Sequence, residues 1–145
     1  MKINSGAKFR KFASAVDSID TTKLFLDAAQ ERKELALDLN RLQLQAEGVG
    51  SEGQSLGKYV EKSKKQGTRD LYGTGEFQGK MFLDTKQLPI FIGSKDSKTP
   101  ILSKVYGPVL GLIKPNEKEF GDEVKSVYIT KVNNHIDLLA QKILY

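Results

Sequence analysis

From Thr22 to Glu47 the apolar residues Leu24, Ala28, Leu35, Leu39, Leu42 and Ala46 step along the chain by threes and fours. That spacing puts them on one face of a helix. Asp20, Thr21 and Thr22 precede the run and are good helix caps, and neither Gly nor Pro interrupts it before Gly48. One polar turn around Glu31 and Arg32 falls within the stripe, and Leu37 and Leu44 widen the apolar face. A second stripe, Phe120, Val124, Val127, Tyr128, Val132, Ile136, Leu139 and Ile143, predicts a C-terminal helix from about Gly121 to Leu144. Leu35, Leu39, Leu42, Val124, Val132, Ile136 and Leu139 are expected to be buried.

Between the two stripes the pattern shortens. "EFQGKMFLD", "LPIFIGSKD" and "ILSKVYGPVLGL" are short apolar pieces bounded by Pro89, Gly93, Gly107 and Pro108, and each reads as a strand. Residues 48–67 are rich in Gly, Ser and Lys and read as a loop longer than the usual 4–6 or so residues. Residues 1–20 read as an arm, with Phe9, Phe12, Ala13, Val16 and Ile19 at helical spacing and Lys8, Arg10 and Lys11 between them. Such a segment is marginal alone and needs a neighbour to cover its apolar side. The predicted architecture is α+β: an N-terminal arm at 1–20, then one domain at 21–145. In that domain long amphipathic N- and C-terminal helices pack on a small antiparallel sheet. No strand–helix–strand alternation suggests a doubly wound sheet.

Composition narrows the classes. A chain of 145 residues fits one domain and buries roughly 70% of its unfolded surface without staples. Cys is absent, which excludes thiol chemistry, disulfide scaffolds and cysteine–zinc sites. No apolar run approaches the ~18 residues of a membrane span. The N-terminus lacks the apolar core of a signal peptide. The net charge of +5 permits contact with nucleic acid or an acidic partner without specifying either.

The candidate chemistry is sparse. Gly73, Gly75 and Gly79 suggest a phosphate loop, yet their spacing is one residue longer than G-x-G-x-x-G, no strand precedes them, and no G-K-[ST] follows. A turn opening a β-hairpin is the better reading. Thr74 and Gly75 form that turn, and Phe77 is its inward anchor. His135 is the single histidine and lacks carboxylates at ligand spacing. No serine stands in a nucleophile context, and Asp70, Glu76, Asp84 and Asp96 are ordinary loop or strand-end carboxylates. Neither an enzymatic activity nor a metal or cofactor is expected. Lys58, Lys62, Lys64, Lys65 and Arg69, with Tyr59, are candidate contacts to phosphates or to an acidic neighbour.

The order of parts resembles a known family. It runs long helix, loop, a turn containing Thr-Gly that opens a hairpin, strands ending in Tyr-Gly, and a C-terminal helix. Here those parts are Thr22–Glu47, Gly48–Gly67, "DLYGTGEFQGKMFL", "IFIGSKD", "KVYGPVLGL" and Gly121–Leu144. The chain is similar to the tail-completion and virion-morphogenesis proteins of tailed bacteriophages. It is nearest to versions from phages of Bacteroidetes hosts, which carry runs of the type "LNxxQLxxGxxxxGxxLGxY". The counterpart is "LNRLQLQAEGVGSEGQSLGKYV", Leu39 to Val60. The resemblance covers roughly residues 20–140. In the family Asp directly precedes Thr-Gly, whereas here Asp70 stands further upstream.

The resemblance implies a structural virion protein of the head–tail connector, neck or tail-completion ring, assembled in the host bacterial cytoplasm. Its expected partners are copies of itself in a ring, neighbouring portal, connector or tail proteins, and packaged DNA without sequence specificity, with no membrane. Phe9, Phe12 and Val16 are its candidate subunit-contact residues. The alternative is a small nucleic-acid-binding protein using the basic loop at 58–69.

Overall fold

A computed structural model describes residues 5–57 and 75–145. The protein is α+β. Helices α1 (Ser5–Asp17), α2 (Thr21–Glu31) and α3 (Lys33–Leu42) lead into a π-helical turn, Gln43–Glu47. A single helical turn, α4 (Glu76–Gly79), precedes strands β1 (Met81–Asp84) and β2 (Phe91–Ser94), and α5 (Thr99–Tyr106) and α6 (Lys114–Ile143) complete the order. The two strands pair antiparallel, Met81 opposite Ser94 and Asp84 opposite Phe91.

The long helix expected over 22–47 is bent at Arg32, whose φ of −106° and ψ of 17° leave the helical region. The run Gln30 to Glu34 carries no apolar side chain to hold the turn against a core. The bend lets the two halves face different partners. Asp20 caps α2 by accepting from the Lys23 amide at 3.0 Å. Ala28 and Ala29 are fully buried against Val124 of α6, with Phe25, Phe120, Val127 and Tyr128 around them. Two alanines in sequence allow the helices to approach closely. Helix α3 instead turns toward β1, and Leu42 ends 57% exposed rather than buried.

The third expected strand is a helix. Pro100 stands in the first turn of α5, where its missing N–H costs nothing. The Asp96 carboxylate accepts from the Lys98 amide at 2.8 Å and so shapes the entry. Leu102 and Tyr106, four apart, pack on a cluster of Leu44, Leu56, Phe77 and Val109. The short apolar piece "ILSKVYG" reads as a strand in sequence, but this packing at helical spacing prevails, and Tyr106-Gly107 closes a helix rather than a strand. Helix α6 starts two turns before the expected Gly121, because Pro115 sits in its first turn and is preorganised for a helix start. At 30 residues it is about 45 Å long.

Three buried amides close the fold. The Asn40 side chain donates to the Val109 carbonyl at 3.2 Å and accepts from the Gly111 amide at 2.8 Å. Gln43 is 0% exposed. Its Nε2 donates to the carbonyls of Gly111 at 2.9 Å and Gly50 at 3.3 Å. Its Oε1 accepts from the Ile113 amide at 2.9 Å and from Asn116 Nδ2 at 3.1 Å. Two donors and two lone pairs are therefore all engaged. Gln78 joins α4 to the π-helical turn by accepting from Gln45 Nε2, while Arg41 Nε donates to the Gln78 carbonyl at 3.1 Å.

The same network orders the first part of the glycine-rich loop. The amide of Ser51 donates to the Pro108 carbonyl at 2.9 Å, and that of Leu56 to Gly48 at 2.9 Å. A Cβ at Gly50 would come within 2.5 Å of the Pro108 carbonyl oxygen, so only glycine lets the two segments meet here. Replacing Gln43 by Met keeps its length and leaves four buried or partly buried polar groups without this partner. We expect Gln43→Met to lower stability by about 2–5 kcal/mol in urea denaturation. The exposed-site control Gln141→Met should stay within about 0.5 kcal/mol.

Candidate functional site

Helix α1 holds the arm residues singled out as subunit contacts. Its start lies beside the end of α6, where Ser5, Lys8 and Phe9 line a small cavity with Leu144 and Tyr145. The two helices therefore run antiparallel. Phe12 and Val16 are half-buried, and no residue of α1 is fully buried. A seam between only two helices encloses one side of each stripe. Phe9 is 60% exposed because its position on the stripe reaches the last residues of α6, which only flank it. Val132, Ile136 and Leu139, expected to be buried, are likewise half-buried in this part of α6.

Gly75 takes φ 82°, the left-handed region, as the residue preceding α4. Its freedom from a Cβ is what admits that turn. Phe77, two residues on, is buried in the cluster with Leu44, Leu56 and Val109. One helical turn, not a strand, follows Gly75, and β1 begins only at Met81. Thr74, Gly73, Asp70 and the basic residues Lys58, Lys62, Lys64, Lys65 and Arg69 lie outside the described residues.

The acidic candidates have local duties. Asp84 accepts from the Lys86 amide at 3.0 Å at the turn after β1. Asp96 is buried, shapes the entry to α5, and lies 3.8 Å from Lys80 Nζ. The register sets Asp84 at one end of the two-strand ladder and Asp96 beyond the other. His135 and Glu76 are exposed. Among the described residues no group of three His, Cys, Asp or Glu residues stands where it could hold a metal. No helix among them is long and apolar enough to cross a membrane.

Among the described residues one concavity is of a kind that periodicity did not reveal. A groove of about 510 Å³ opens between the hairpin, α2 and the start of α6. Its walls include Phe25, Leu88, Ile90, Phe91, Leu112 and Phe120. Its volume falls within the ~300–1,000 Å³ typical of ligand pockets. Glu117 is the one charged lining residue, and it has no ion-pair partner among the described residues. Leu88 and Phe91 remain more than half exposed on the hairpin. Further apolar groups face outward at Ile101 and Val105 on α5 and at Leu138 on α6.

No family model, curated protein or solved structure matches the chain.

The turn at Gly75 carries a direct test. A β-branched residue there must adopt the left-handed region at a cost of about 1–3 kcal/mol. Gly75→Val should lower the thermal midpoint measurably, whereas Gly79→Val, at a position where an added Cβ meets nothing within 4 Å, should cost less.

Proposed function

We propose that the chain is a structural subunit of a tailed bacteriophage, part of the head–tail connector, neck or tail-completion ring, acting by shape and contact rather than by catalysis. The observation that carries this reading is where the family-like stretch falls in the fold. "LNRLQLQAEGVGSEGQSLG" supplies Asn40, Gln43, Gly50 and Leu56. These residues hold the segment after α5 and fill the core beneath it. Of the residues that carry the resemblance, Asn40, Gln43 and Leu56 are buried in this fold. Outward-facing apolar groups on α1, α5, α6 and the hairpin supply surfaces for neighbours. Copies in a ring would meet through different patches on each subunit. Mass spectrometry of purified particles tests the reading. The chain should be recovered at a fixed copy number per particle, and its absence from washed particles would remove the proposal.

A second reading has one specific observation behind it. Residues 58–74 hold five basic and two acidic residues, so three of the five net positive charges lie there. A nucleic-acid-binding role would use Lys58, Lys62, Lys64, Lys65 and Arg69 against phosphates. Replacing Lys62, Lys64 and Lys65 with Ala should then lower the slope of log affinity against log salt for duplex DNA by about 0.9 per lost phosphate contact. An unchanged slope would leave DNA outside the protein's function.

A further inference from the structure

We propose that copies of this chain associate head to tail, with the Phe9 face of α1 in one copy seated in the apolar groove of the next. The inference rests on the reading of the chain as a self-assembling subunit and names the two surfaces that meet.

The first surface is an aromatic knob flanked by cations. Phe9 is 60% exposed at the open end of the α1–α6 seam. Lys8 and Arg10 flank it on the helix, and neither has an ion-pair partner among the described residues. The second surface is the groove walled by Phe25, Leu88, Phe91 and Phe120, with Glu117, which has no ion-pair partner among the described residues, as the one charged lining residue among them.

Charge decides between the two ways these surfaces could be used. Pairing two α1 knobs about a twofold axis would bring the four flanking cations together, and like charges in contact are strongly disfavoured. Pairing the knob with the groove buries an aromatic ring among aromatic and aliphatic side chains and sets cations against a carboxylate. Aromatic residues and arginine are the groups that most often anchor such contacts. Knob and groove are different patches of one chain, so each copy that donates a knob still offers a groove. The contact is heterologous, and it propagates into a ring if the rotation closes or a filament if it does not.

Native mass spectrometry of the concentrated full chain reads the assembly, with circular dichroism checking that each variant is folded. The wild-type chain should form oligomers larger than dimers. Phe9→Asp should remove the knob, and the pair Leu88→Glu with Phe91→Glu should block the groove, each variant alone being monomeric. Mixing the two should yield one-to-one heterodimers and nothing larger, since only one intact knob and one intact groove remain. If the groove variant fails to fold, Glu117→Lys on the exposed helix surface takes its place. It should weaken assembly about tenfold or more and recover when Lys8→Glu and Arg10→Glu are introduced in the same chain. A wild-type chain that stays monomeric, oligomers that survive Phe9→Asp, or a mixture that forms no heterodimer would each overturn the proposal. So would a monomer that binds phosphatidylglycerol vesicles through Phe9, which would assign the knob to a membrane surface. Recovery of the chain in particles is decided separately, so this contact can fail while the virion reading stands.

Discussion

The side-chain amide of Gln43 makes four hydrogen bonds in a place with no exposed surface. The arrangement of the α5 end of the fold depends on it. A buried amide is costly when left open and strongly directional when satisfied. Here it accepts from the amide just before α6 and donates to the carbonyls at 50 and 111, so one side chain fixes both the loop at Gly50 and the distant segment 111–113 to the π-helical turn. Asn40 adds a peptide-like grip on residues 109 and 111. An apolar core would have tolerated sliding of the segment 107–113. Paired donors and acceptors accept a single register.

The other end of the molecule is held by shape. Ala28 and Ala29 let α2 approach α6, and Val124 fills the contact. The bend at Arg32 is what permits both arrangements. A straight helix from 22 to 47 would carry one apolar stripe in one direction and could not serve α6 with its first half and the amide network with its second. Ion pairs at Arg32–Glu123 and Lys131–Glu31 tie the bend to α6. They lie at the surface, where such pairs are worth ~0–1 kcal/mol each. Close packing of small residues carries the contact and the charges only orient it.

Two strands of four residues cannot form an independent sheet. They persist because β1 rests on α3 and the Ser94 hydroxyl donates to the Phe77 carbonyl at 2.8 Å. Leu88 and Phe91 of the hairpin stand more than half exposed and line the groove together with α2 and the start of α6. Phe9 lies beside the end of α6, so the groove and the Phe9 face sit toward opposite ends of that helix.

Spacing along the chain and backbone sterics were enough to determine the class of fold, the helical state of most of 22–47 and of 121–143, and the left-handed turn residue Gly75; the break between α2 and α3 and the earlier start of α6 were not among them. The amide network left a trace that periodicity alone misassigns. Asn40 and Gln43 are polar residues in phase with the buried Ala36, Leu37, Leu39 and Leu44, and an amide in phase with a core stripe signals a buried polar partner. Three features belonged to the tertiary structure. The bend at Arg32 depends on α2 and α3 having different partners. The helical state of 99–106 depends on Leu102 and Tyr106 meeting a cluster contributed by residues 44, 56, 77 and 109. The groove is built from residues between 25 and 120, none of which is conspicuous alone. Local propensity describes what a segment can do. Which of two permitted states it adopts, and which surfaces remain uncovered, is settled by contacts between residues tens of positions apart.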